Sequence, residues 1–176
     1  DMNLEQEGVE IIRDNRDTNW LKYSGEKRAN WLKTNDDSYL DENDEEIFIE
    51  TSLDGIEILE NQNLIQNVYS SFLNTFLDSN SGSQTALETE EIAAKQNTYF
   101  RLYRNSEGVL INDENEAGVT PSPYYRSVKI KPSCANNEIC DKKITVTSDV
   151  FWADKKNEKF EKTTVKADLY DFYELD

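Results

Sequence analysis

Apolar residues in "NLIQNVYSSFLNTFLD" fall at positions 64, 65, 68, 69, 72, 73, 76 and 77, the i, i+3, i+4 repeat of a helix with one covered face. That spacing predicts an amphipathic helix of about four turns, ended by the Ser/Gly/Asn run "DSNSGSQT". Near the start of the chain, Leu4, Gly8, Ile11, Ile12, Asn15 and Asn19 share one side of a helix, with Val9 and Trp20 at its edge. Glu7, Glu10, Arg13, Asp14 and Asp17 occupy the other side. A second amphipathic helix is therefore expected from about Leu4 to Trp20. A short third one is expected over "ALETEEIAAKQ".

Elsewhere the pattern alternates. "IFIETSLDGIEIL" places β-branched and aromatic residues on both sides of Asp54-Gly55, a dipeptide favoured in two-residue turns, and so predicts a hairpin. From about residue 98 onward strands are expected: "TYFRLYR" and "VLIND" flank "NSEG" as a second hairpin, and "ENEAGVTPSP" reads as a loop with two prolines. "YYRSVKIK", "KKITVTSDVFW" and "KTTVKADLYDF" then read as strands over about 124–132, 142–153 and 162–172. Short connections favour an antiparallel meander. The expected fold is α+β, an N-terminal amphipathic helix packed on an antiparallel β-sheet. Between them, residues 23–46 turn polar and acidic and read as a connecting loop pinned by Trp31, Leu32, Tyr39 and Leu40.

Composition fits one domain over residues 1–176: hydrophobic residues make up 36 % and aromatic ones 11 %, enough for a core. Charge narrows the choice of partner. The formal net charge is −17, which repels phosphate backbones and anionic lipid surfaces and argues against nucleic acid or a membrane surface. The excess is uneven, with 9 Lys and Arg against 26 Asp and Glu in residues 1–123, and 10 against 10 in residues 124–176. Residues 23–97 alone carry 4 basic against 16 acidic side chains. Such a surface suits steering of a basic protein or a cation, with solubility as the plainer explanation.

The chain has no histidine, which removes Ser-His-Asp and Cys-His catalysis and the HExxH zinc site, and no glycine-rich phosphate cradle is present. Neither an enzymatic activity nor a cofactor is expected. In "NDENEAG", Asp113, Asn115 and Gly118 stand at the first, third and sixth places of an EF-hand-like loop. The twelfth place is Tyr124 rather than glutamate, and Pro121 and Pro123 break the exiting helix. Asp113 and Asn115, with "DENDEE" at 41–46, remain the calcium candidates, against the reading of exposed acidic turns. Tyr99, Phe100, Tyr103, Tyr124, Tyr125, Phe151, Trp152, Tyr170, Phe172 and Tyr173 sit at strand spacing and are expected in the core rather than on a ligand platform.

Two cysteines, Cys134 and Cys140, lie close together in "SCANNEICD" between two strand-like runs. A disulfide in an oxidising compartment is expected, with two free thiols as the alternative. A metal site would want four soft ligands. The bridge would close only a short loop and add about 2–3 kcal/mol. No stretch reaches the roughly 18–20 apolar residues that span a bilayer, so the chain as given is expected to be soluble and monomeric.

The order of these parts resembles type IV pilin-like proteins, in particular minor pilins and pseudopilins of the prepilin class. In that family a helix half carrying E-G-x-E-x-x-R-x-x-R-D-x-N-W leads into a globular head, matched here by Glu7, Gly8, Glu10, Arg13, Arg16, Asp17, Asn19 and Trp20. The sheet ends in a strand with V-x-W, here Val150 and Trp152, and a last strand closing in L-Y, here Leu169 and Tyr170. The resemblance covers both ends of the chain. It implies a lower half of a spine helix at 1–22, a sheet at 98–176, and a variable insertion at 23–97 with its own hairpin and helix. It further implies a structural filament subunit at the cell surface, extracellular once assembled. Contact with other pilin subunits would run through the N-terminal helix, and membrane attachment only through an apolar segment ahead of Asp1. The competing reading is a secreted or surface-anchored adhesin-like binding module that forms no filament. A basic leader and about 20 apolar residues encoded ahead of Asp1 separate the two.

Overall fold

The computed structural model describes residues 4–22, 46–52, 55–73, 86–132, 143–154, 156 and 159–170. Its elements are helix α1 (Leu4–Lys22), strands β1 (Ile47–Ser52) and β2 (Gly55–Ile58), helices α2 (Gln62–Leu73) and α3 (Ala86–Phe100), and strands β3 (Arg101–Arg104), β4 (Leu110–Ile111), β5 (Thr120–Pro132), β6 (Lys143–Asp154) and β7 (Lys159–Tyr170).

All described pairings are antiparallel and belong to one sheet with β5 at its centre. β6 runs along one edge of β5, from Tyr124 opposite Trp152 to Pro132 opposite Ile144, and β7 extends the sheet outward. The other edge of β5 is shared. Its first half pairs with β3, from Thr120 opposite Arg104 to Tyr125 opposite Arg101. Its second half pairs with β1, from Val128 opposite Ile49 to Ile130 opposite Ile47.

Strand alternation then gives the sheet two apolar faces. On one, Val9 and Ile12 of α1 pack with Ile49, Ile56, Val128, Ile130, Ile144, Val146 and Leu169. On the other, Ile65, Val68, Tyr69 and Phe72 of α2 and Phe100 of α3 pack with Phe48 and Phe151. The result is helix, sheet, helix pair. Asn61 caps α2, its side-chain oxygen accepting from the Leu64 amide at 3.3 Å. Gln62 clamps α2 to β1 by bonding both the amide and the carbonyl of Phe48, at 2.7 and 2.8 Å.

The expected α+β arrangement holds: α1 lies against an antiparallel sheet, and the last three strands occupy nearly the expected spans. Three details differ. α3 continues through Thr98–Phe100, which alternation assigned to a strand, because the helical turn buries Phe100 at 1 % exposure between Phe48 and Phe72. Pro121 and Pro123 belong to β5 rather than to a loop; they stand beside the register irregularity between Arg101 and Tyr103, where missing N–H groups cost the ladder little. The hairpin and α2 of the 23–97 segment are integral to both cores, supplying Phe48, Ile49, Ile56, Ile65, Val68, Tyr69 and Phe72.

Candidate functional site

The charge-bearing residues that the fold brings together lie in two buried clusters, one on each face of the sheet. The first seats α1. Gly8 faces Ser148 so closely that an added Cβ would stand 2.5 Å from its Oγ and 3.1 Å from Val128 Cγ2. Only a hydrogen fits there, so the helix backbone descends onto β5 and β6. One residue before Gly8, Glu7 Oε2 lies 3.3 Å from Nη1 of Arg126, whose side chain is 2 % exposed. Arg126 Nη2 donates to Thr51 Oγ1 at 3.3 Å and to Asn112 Oδ1 at 3.2 Å. Its Nε and Nη1, with Glu7 Oε2, are buried without a well-formed hydrogen bond. Burial draws the Arg126 guanidinium below the ordinary arginine range, and Glu7 opposes that shift. Thr163 on β7 adds a bond to Glu5 at 3.0 Å. Further along α1, Arg16 and Asn19 are also buried.

Gly8→Val should therefore lower stability by about 2 kcal/mol despite the better helix propensity, as overpacking does. In urea titrations, Gly8→Ala should cost less in a Ser148→Ala background than alone, since the nearest clashing atom is then gone.

The second cluster lies beneath α2. Asp149, 1 % exposed, accepts from Tyr69 Oη at 2.7 Å and from Thr164 Oγ1. Lys129 Nζ stands 3.9 Å from Asp149 Oδ2 and 3.2 Å from Glu46 Oε2. The same ammonium is 4.5 Å from the ring centre of Tyr69 and 5.7 Å from that of Phe48. Lys162 Nζ approaches Asp149 Oδ1 at 3.4 Å from the solvent side. Two cations and two hydroxyls thus compensate one buried carboxylate.

Burial, then the hydrogen bond and charge of Asp149, push the Tyr69 phenol well above its ordinary value. Above about pH 10 an unfolded Tyr69 releases its proton while the folded one keeps it. The folded state then holds more protons, and stability falls as pH rises. Denaturation midpoints between about pH 8 and 11 should fall more steeply in the wild type than in Tyr69→Phe.

Of the calcium candidates, Glu46 at the end of "DENDEE" belongs to the second cluster, while Asp113 and Asn115 follow Asn112, a partner of Arg126, without joining either cluster. Asp113 Oδ1 accepts from the Asn115 amide at 2.8 Å, closing a local turn, and Glu114 accepts from Tyr103 Oη at 3.1 Å. Glu50 faces Glu57 across the hairpin; its carboxyl is raised by burial, then by Glu57 and Asp113. Among the described residues, no three such side chains converge as a metal site. Cys134 and Cys140, the 41–45 part of "DENDEE", and Phe172 and Tyr173 lie outside the described residues. Of the other aromatics, Phe100, Tyr103 and Phe151 are buried, Tyr99, Tyr124, Tyr125 and Trp152 half-buried, and Tyr170 exposed. Among the described residues no helix is long and apolar enough to cross a membrane.

Arg126, Lys129 and Asp149 went unremarked in the sequence, although the signal was present. Arg126 is in phase with Val128 and Ile130, and Asp149 with Phe151, so strand alternation alone turns these charges into the apolar layers. Searches of protein-family models, curated proteins and solved structures find no match to this chain.

Proposed function

We propose that this chain is the globular head of a type IV pilin-like filament subunit, a minor pilin or pseudopilin, with α1 as the lower half of its spine helix. One observation carries the reading. Two of the motif residues that suggested a spine help seat α1 on the sheet, Gly8 by its close approach to Ser148 and Glu7 by its ion pair with Arg126, beside the apolar contacts of Val9 and Ile12; Arg16 and Asn19 are buried further along the helix. A helix fixed this firmly suits transmission of load from an apolar extension into the head. No catalytic step is assigned to the head. Its role is to be stable outside the cell and to present a surface, and the acidic 23–97 segment is the part suited to a basic neighbouring subunit or a cation.

The coding sequence ahead of Asp1 tests this reading. A short basic leader followed by about 20 apolar residues is expected. A second globular domain, or a secretory signal with its own cleavage site, would overturn it.

A further inference from the structure

Lys129 presents an amine at 10 % side-chain exposure, between the carboxylates of Asp149 and Glu46 and over the rings of Tyr69 and Phe48. With Lys162 at 3.4 Å from Asp149 the cluster holds two ammoniums and two carboxylates, and only Lys129 stands beside both carboxylates. The second carboxylate gives the amine an adjacent proton acceptor, and the aromatic wall limits access of water to Asp149. We propose that Lys129 and Asp149 form an intramolecular isopeptide bond, closed by the folded chain itself with Glu46 as the proton acceptor. The proposal is independent of the filament reading.

The reaction balances without an outside reactant. The Lys129 Nζ–Asp149 Cγ bond forms and the Cγ–Oδ1 bond breaks. Two protons leave the ammonium, accepted in turn by Glu46, and the departing Oδ1 takes up two and leaves as water. Oδ2 stays as the amide oxygen and keeps the hydrogen bond from Tyr69, which also supports its negative charge in the tetrahedral addition species. Condensation of amine and carboxylate is unfavourable in dilute water. Held partners in a folded site reach effective molarities of ~10⁵–10⁸ M, and that term drives closure here.

Lys162 is the rival amine, 3.4 Å from Oδ1. Its side chain is 36 % exposed, and no second carboxylate is found beside it among the described contacts. It is assigned the lesser part of steadying the departing oxygen. In register terms the bond ties β5 to β6 diagonally across the Ser127–Asp149 and Lys129–Thr147 pairs, at the centre of the sheet.

Intact mass and peptide mapping of the purified full chain, folded and held for a week at room temperature, test the proposal. A mass about 18 Da below that of the sequence is expected, apart from any disulfide. Trypsin should fail to cut after Lys129, and a branched peptide should join Lys129 to Asp149; mapping excludes a succinimide at Asp54-Gly55, which loses the same mass. Glu46→Gln should retain wild-type circular dichroism and show no branched peptide. Asp149→Asn should lose ammonia in place of water, about 17 Da. Normal cleavage after Lys129 with no mass loss, or a branch carried by Lys162, would overturn it.

Discussion

Glu7→Ala should destabilise the fold by about 3 kcal/mol, because it leaves the Arg126 guanidinium buried without its counter-charge. Arginine does not escape by losing its proton at any ordinary pH, although burial pulls it in that direction. Removing both groups, as Glu7→Ala with Arg126→Met, should recover most of the loss, since an apolar pair at that site strands no charge. Glu10 gives the contrast on the same helix. Its pair with Arg13 at 2.6 Å has both side chains 41 % exposed, and Glu10→Ala should change stability by less than about 0.5 kcal/mol. Urea unfolding of the three variants beside the wild type reads all of this. A Glu7→Ala protein as stable as the wild type would mean that α1 is not held where it is described.

Phe72→Ala should cost about 3–5 kcal/mol, the usual loss for a buried aromatic. Phe72 is the centre of the second core: it stacks on Phe151 at 4.6 Å and meets the edges of Phe100 at 5.8 Å and Phe160 at 4.9 Å. These contacts join α2 to α3 and to two strands of the sheet, so the cavity cannot close by movement of one neighbour alone. Calorimetry should show a fall of about 10 °C or more in Tm. Phe72→Leu should lose roughly 1–1.5 kcal/mol, since much of the volume remains. Equal losses for the two variants would indicate that the aromatic layer is not closely packed.

How much of this was readable in advance depends on the length of each pattern. β5, β6 and β7 each run for twelve residues or more and contain alternating or β-branched stretches, and α1 runs for nineteen, so both types and their approximate spans followed from the chain alone. Thr98–Phe100 did not, because three residues with two adjacent aromatics satisfy both periods and tertiary burial of Phe100 decides. Sharing of the β5 edge between β1 and β3 was also hidden, since no local pattern records which strand lies across which half of a long partner. The charged clusters were half visible. Alternation turns Arg126 and Asp149 inward, but their partners Glu7 and Tyr69 lie 80 or more positions away, a distance at which spacing carries no information.

The proposed place of this chain in a filament is tested most directly by immunogold electron microscopy of the cells that make the full protein, using antibody raised against the folded chain. Gold on thin surface filaments is expected, lost when the apolar segment expected ahead of Asp1 is deleted from the gene. Gold spread over the envelope or recovered only from the medium, with no filament labelled, would contradict the account.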